Sequence, residues 1–126
     1  AVLTTAGVTR QQVIVDPGPD FAKTPAQTVD VLRQVSKLLE FDRPVLFPVS
    51  RKDFIGAITG RPPRERLSGT LAAIAHTLTL TRAGIYRVHD IEEVRNFLDV
   101  WDVLQCHTEL GADVLLDRNL WRANGQ

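Results

Sequence analysis

The chain predicts an α/β fold with parallel strands, and three observations predict it. Three short apolar runs, Val13-Ile14-Val15, Val45-Leu46-Phe47 and Ile85-Tyr86-Arg87-Val88, are each closed by polar or turn-forming residues. Each run is followed by apolar residues at helical spacing. The runs are continuous rather than alternating, as expected for strands buried on both faces. Strand and helix thus alternate three times, the pattern of a parallel sheet covered by helices. Part of a doubly wound sheet and part of a (β/α)8 barrel both fit. Three strands alone leave two long unpaired edges, and a complete barrel typically needs roughly 250 residues. A chain of 126 residues without methionine is therefore expected to be an incomplete domain, or one that pairs with another chain.

The elements follow in order. Asp16-Pro17-Gly18 breaks the first strand, and Thr24-Pro25-Ala26-Gln27 starts the first helix. A hydroxyl cap, proline at the first helical position and glutamine three residues after the cap make that signal. Val31, Leu32, Val35, Leu38 and Leu39 form its buried face, and Asp42-Arg43-Pro44 ends it. After the second strand comes an irregular polar turn over residues 48–53. Residues 54–66, with Gly56, Gly60, Pro62 and Pro63, are expected to be a long connection. Leu67, Leu71, Ile74, Ala75 and Leu78 mark a second helix that Gly84 stops. Asp90 is placed to cap a third helix with Glu92 and Glu93 in its first turn and a stripe of Ile91, Val94, Phe97, Leu98, Trp101 and Leu104. Residues 1–106 are taken as the βα region. Residues 107–126 are taken as a tail with a further short helical stretch.

Fifteen basic and fifteen acidic side chains cancel, so nothing global argues for nucleic acid or a membrane as partner. No apolar stretch approaches a membrane span. The single Cys106 fits a reducing, cytoplasmic setting, and is read as an inert, partly buried helix residue. His76, Trp101 and Trp121 are read as structural.

Function in either architecture gathers at the carboxyl ends of the parallel strands. The first strand ends in Asp16, the second in Ser50-Arg51-Lys52, and the third carries Arg87 and His89. Arg87 and His89 lie two apart, so in an extended segment they point the same way and suit one phosphate or carboxylate. Asp16 and Lys52 offer an acceptor and a donor, the complement of a guanidine-like edge beside a carbonyl. A plain ion pair between Asp16 and Lys52 is the bland alternative. Arg61, Arg64 and Arg66 suit either a solvated loop or an anion-gathering flap.

Four stretches taken together resemble the dihydropteroate synthase family, in the same order and at similar spacing. They are Asp16-Pro17-Gly18 with Phe21-Ala22-Lys23-Thr24, then Pro44-Val45-Leu46 with Ser50-Arg51-Lys52 and Phe54-Ile55-Gly56, then Arg66-Leu67 with Gly69-Thr70-Leu71-Ala72-Ala73, then Arg87-Val88-His89-Asp90. The resemblance runs over residues 8–104 and implies a partial (β/α)8 TIM-type barrel, made of its last three βα units. It also implies an enzyme that joins dihydropterin pyrophosphate to p-aminobenzoate, releasing pyrophosphate and making dihydropteroate for folate biosynthesis. By that resemblance Asp16 and Lys52 bind the pterin, and Arg87 and His89 hold the pyrophosphate. Phe21 and Ser50 line the p-aminobenzoate side, which Asp53 borders. Magnesium is implied as cofactor, its asparagine ligand coming from the family's first strand and not from these residues. No residue here is singled out as catalytic, and the chain alone is expected to be inactive. Homo-oligomeric association is expected from the exposed strand edges.

Three positions depart from the family pattern. Pro19-Asp20 stands where a glycine-containing loop is usual. Pro48 replaces a glycine and stiffens the pocket wall. Asp53 follows the lysine where a neutral or basic residue is typical. Two carboxylates about 4 Å apart at an effective dielectric near 20 repel by roughly 4 kcal/mol, so Asp53 is expected to oppose p-aminobenzoate unless solvent or Arg51 offsets it. The same profile is similar to the family's divergent second paralogues, some regarded as lacking synthase activity. A non-catalytic pterin- or anion-binding paralogue and a self-associating module are the alternatives.

Overall fold

The structure is a computed structural model that describes residues 2–121. The elements, in order, are helix α1 (Val2–Thr5), α2 (Pro25–Arg33), α3 (Ser36–Leu39), strand β1 (Val45–Phe47), α4 (Asp53–Thr59), α5 (Leu67–Leu78), strand β2 (Gly84–Tyr86) and α6 (Ile91–Leu104). Short 3-10 turns lie at Arg10–Gln12, Pro63–Glu65 and Arg118–Leu120. The chain forms two compact units, residues 1–94 and 95–126, the boundary falling inside α6.

The strands β1 and β2 run parallel, with Val45 opposite Gly84, Leu46 opposite Ile85 and Phe47 opposite Tyr86. The expected first strand is reduced to a single parallel bridge between Val15 and Val45. Its two rungs are Val15 N–H to the Pro44 carbonyl at 2.9 Å and Leu46 N–H to the Val15 carbonyl at 2.8 Å. Prolines explain why the ladder stops there. The next rung in one direction needs an N–H from Pro17, and in the other an N–H from Pro44, and neither has one. The Arg43 guanidinium reaches the Val13 carbonyl instead, at 3.4 Å.

One face of this sheet carries the core. Val45 and Phe47 are essentially inaccessible, as are Val35, Val49, Ile55 and Ile74. Burying one such side chain contributes roughly 1.5–3 kcal/mol. Phe47 stacks on Tyr86 with centroids 5.5 Å apart. Gly84 makes room for this pair, since a Cβ there would lie 2.8 Å from the Phe47 ring. The Thr77 hydroxyl lies 2.8 Å from the Ile74 carbonyl and 2.7 Å from the Tyr86 hydroxyl, and bonds with both. The other face is open, with Ile85 43% exposed. Burial of both faces, expected from the continuous apolar runs, is not seen at Ile85 among the described residues.

Helix α2 begins as the sequence predicts. Gln27 N–H donates to the Thr24 hydroxyl and the Gln27 side chain accepts from Thr24 N–H. The expected single helix to Leu39 is instead two, broken at Gln34, which is not helical, and followed by the fully buried Val35. The expected long connection over residues 54–66 holds α4, with Phe54 and Ile55 buried and Gly60 closing it at φ +69°. Helix α5 ends at Leu78, before Gly84. Its final residues are Thr-rich, and the Thr77 and Thr79 hydroxyls turn back to carbonyls three residues earlier, which favours termination. His76 is structural as expected, its Nε2 lying 3.2 Å from the Leu32 carbonyl.

In α6 only Val94 of the expected stripe is buried, while Ile91 and Leu104 are largely exposed. Phe97 and Trp101 meet at 5.9 Å. Cys106 is exposed and lies beyond the helix, at φ +56°, so the partly buried helical position expected for it is corrected. Trp121 is exposed, so the packing role expected for it is not seen. Of the tail helix, one 3-10 turn at Arg118–Leu120 is present, and residues 122–126 lie outside the described residues. Among the described residues no helix is long and apolar enough to cross a membrane.

Candidate functional site

The first loop is held by its own polar groups. Asp16 Oδ1 accepts the Gly18 N–H at 2.6 Å, and Gly18 adopts φ +61°. Lys23 Nζ donates to the carbonyls of Gly18 and Phe21 at 2.9 and 3.2 Å. Phe21 projects outward, 69% exposed. The Asp16–Lys52 ion pair is not among the contacts of the described residues; the Lys52 ammonium lies 5.2 Å from the Phe21 ring centroid instead, within cation–π range.

The second turn is held from every side. Arg51 sits at φ +58°, a region that non-glycine residues seldom adopt. Its N–H donates to the buried Thr70 hydroxyl at 3.0 Å. Its guanidinium grips Asp90 through two bonds, Nε to Oδ2 at 3.1 Å and Nη2 to Oδ1. The hydrogen bond from Arg51 holds the Asp90 carboxyl below its ordinary value of 3.8, and the same bond raises Arg51. Arg66 then clamps the turn, its Nη1 donating to the Arg51 and Lys52 carbonyls at 2.9 and 3.1 Å. The same nitrogen donates to the Asp53 carboxylate at 2.9 Å, and Nε donates to the Arg61 carbonyl at 2.8 Å. Gly56 leaves the space this guanidinium occupies, because a Cβ there would collide with it. The guanidinium that offsets Asp53 is thus Arg66, not the Arg51 suggested by adjacency in sequence. Of the three arginines over residues 61–66, Arg66 is a strut and Arg61 pairs with Glu65 at 3.3 Å.

The third segment joins the second through Ser50 and His89. Ser50 is 5% exposed; its Oγ accepts the His89 N–H at 3.2 Å and lies 2.9 Å from His89 Nδ1. With the serine hydroxyl donating to Nδ1, the ring proton sits on Nε2, which is then a donor. Arg87 follows β2 directly, its N–H on the Phe47 carbonyl at 3.4 Å.

The result is a sorting of charge. Of Arg51, Lys52, Arg66 and Arg87, two are matched by carboxylates, Arg51 by Asp90 and Arg66 by Asp53. Lys52 and Arg87 have no acidic partner among the described residues. Lys52, Arg87 and His89 thus follow the carboxyl ends of β1 and β2, and Asp16 follows the Val15 bridge, with the Phe21 ring beside the Lys52 ammonium. Such a set suits an anionic ligand with a flat polar ring. The supporting roles of Thr70, Asp90 and Arg66 in this turn were missed in the sequence. The positive φ at Arg51 and the long separations leave no periodic signal to find them by. Among the described residues no group of three or more His, Cys, Asp or Glu side chains is arranged to hold a metal ion. The asparagine ligand that the resemblance implies for magnesium belongs to the family's first strand, outside these residues.

The pterin binding enzyme family matches residues 1–89. A dihydropteroate synthase of Synechocystis sp. is 42% identical over 99 residues, covering 78% of this chain and 34% of that protein. An inactive dihydropteroate synthase 2 of Mycobacterium leprae is 42% identical over 97 residues, covering 75% of this chain and 32% of that protein. The dihydropteroate synthase of Xanthomonas albilineans, solved in complex with 7,8-dihydropteroate, is 33% identical. It covers 82% of this chain and 40% of that chain with a TM-score of 0.75. The chain thus spans about a third of the length of the curated relatives it matches.

Proposed function

The chain belongs to the pterin binding enzyme family, and from that premise we propose that it is the C-terminal part of a dihydropteroate-synthase-like enzyme. In this reading residues 1–106 are the last three βα units of a (β/α)8 barrel and residues 107–126 are a tail. The observation that carries it is the sorting of charge, in which Lys52 and Arg87 stay without acid partners while their neighbours are matched. Asp16 and Lys52 take the two edges of the pterin ring. Arg87 and His89 Nε2 take the pyrophosphate, where fixed donors stabilise the charge that develops as it departs. The amine of p-aminobenzoate forms the new C–N bond as the C–O bond to pyrophosphate breaks; pyrophosphate leaves with the electron pair, and the nitrogen releases one proton to solvent. Phe21 and Ser50 lie on the p-aminobenzoate side. Magnesium belongs to the complete enzyme, and a cytoplasmic setting, where a lone thiol such as Cys106 stays reduced, belongs to the same proposal.

Calorimetric titration with dihydropterin pyrophosphate and with p-aminobenzoate tests this. Binding of the pterin ligand should weaken on the order of tenfold or more in Arg87→Ala and Lys52→Ala, the loss of one charge-assisted contact each. Unchanged affinity in both variants would refute the site. The 126-residue chain alone is expected to form no dihydropteroate.

A second reading, a non-catalytic paralogue, is favoured by the equal likeness to the inactive mycobacterial relative. An active synthase engages both ligands and a binding relic the first or neither. The repulsion of roughly 4 kcal/mol expected from Asp53 is reduced here, since its carboxylate is paired with Arg66. Homo-oligomerisation through the open sheet face is part of the same proposal; a monodisperse monomer in solution would argue against it.

A further inference from the structure

We propose that Asp20 is a positioning residue, a carboxylate latch that sets the spacing between the loop carrying Asp16 and Phe21 and the turn carrying Lys52. Its Oδ2 accepts the Asp53 N–H at 2.6 Å. Its Oδ1 accepts the Thr28 hydroxyl at 3.3 Å, and its own N–H donates to the same hydroxyl oxygen at 3.0 Å. Thr28 is fully buried within α2, so the latch is anchored in the helix layer rather than in solvent. Asp20 adopts φ +66°, which aspartate, asparagine and glycine tolerate better than other residues.

The two ends of the latch are each one residue from a side chain of the proposed site. Phe21 follows Asp20, and Lys52 precedes Asp53. Holding the Asp53 N–H against the Asp20 carboxylate therefore holds the Phe21 ring and the Lys52 ammonium in one geometry, 5.2 Å apart. Arg66 braces the same turn, but its hydrogen bonds go to Arg51, Lys52, Asp53 and Arg61 and none to the first loop. Among the described residues, Asp20 alone joins the two loops by a side-chain hydrogen bond. The inference rests on reading Asp16, Phe21 and Lys52 as ligand contacts, and its test is arranged to fail separately from that reading.

The test uses the isotopically labelled 126-residue chain. Asp20→Gly deletes the carboxylate while keeping the left-handed backbone accessible, and Asp20→Asn keeps an oxygen acceptor. Without ligand, Asp53 amide exchange should accelerate on the order of ten- to hundredfold in the glycine variant, the range expected for losing a hydrogen bond to a charged group. The ring-current shifts of the Lys52 methylenes should collapse with it, and the asparagine variant should restore most of both. Should the glycine variant fail to fold, Asp53→Pro removes the donor at a first-turn position that accepts proline and must abolish the same Lys52 shifts. Unchanged Asp53 exchange or unchanged Lys52 shifts overturn the latch.

With ligand, the glycine variant should weaken dihydropterin pyrophosphate on the order of tenfold and leave inorganic pyrophosphate unaffected, because Arg87 and His89 stand on another turn. Equal loss of both, in step with a lower melting temperature, would mean a structural role only and overturns the proposal. A wild-type chain that binds neither ligand overturns the proposed function, while the ligand-free measurements still decide the latch.

Discussion

Replacing Arg66 tests whether the Lys52 turn is held from outside or holds itself. The side chain is 11% exposed. Its Nη1 is shared among two carbonyls and the Asp53 carboxylate, and its Nε meets the Arg61 carbonyl. Hydrogen bonds from a charged donor are worth about 1.5–3 kcal/mol each. The Asp53 end is 81% exposed, so solvent screening reduces that ion pair to about 0–1 kcal/mol. Counting the shared Nη1 as one full bond to the turn and Nε as another, at the low end because the freed carbonyls regain some water, Arg66→Met should cost about 2–3 kcal/mol. In urea, with a slope of about 1–3 kcal/mol per molar, the midpoint should fall by roughly 1–2 M. Arg66→Lys keeps the charge but not the fork and should recover less than half of the loss. Asp53→Asn, which removes only the screened pair, should cost under about 1 kcal/mol. A loss below about 0.5 kcal/mol for Arg66→Met, the scale of an ordinary surface change, would refute the strut.

Gly84→Ala should destabilise by about 1–3 kcal/mol by overpacking, because the added methyl meets the Phe47 ring at 2.8 Å; an unchanged melting temperature would show that the ring moves freely. Asp90 contributes stability that is fully present above its ordinary value of 3.8 and lost as pH falls through its lower folded value. Acid unfolding of Asp90→Asn should therefore be flatter below that pH, and a parallel loss in both proteins would count against the Arg51 pair. Burial raises the Tyr86 phenol above 10.0, an effect the hydrogen bond to Thr77 partly opposes. Its contribution is present below 10 and lost as pH climbs through the raised value. Since Tyr86 is the only tyrosine, its phenolate absorbance reports this directly. A midpoint at or under 10 in the folded chain would contradict the packing described.

Much of the local structure was legible because it rests on neighbours in sequence. The Thr24 cap needs only Gln27 three residues on, and the start of α5 at Leu67 and of α6 at Ile91 followed their apolar spacing and flanking residues. Helix α4 was missed although its signals were local, an acid in the first turn and Gly60 at its end. Two glycines and two prolines nearby outweighed them in the reading. The first strand failed for the opposite reason. Its β-branched residues are right for a strand, yet Pro17 and Pro44 withhold the N–H groups its ladder needs, and the second of these lies on the neighbouring strand.

The sequence alone determined the parallel alternation around β1 and β2, the cap of α2, the starts of α5 and α6, and the resemblance to the family. The local elements rest on short spacing, and the resemblance on motifs read in order along the chain. Tertiary structure alone decided which charges are spent and which are left. Arg51 is matched by Asp90, 39 residues away, and Arg66 by Asp53, while Lys52 and Arg87 have no acidic partner among the described residues. A cation's availability depends on what the fold brings within about 4 Å of it, and no spacing along the chain encodes that distance.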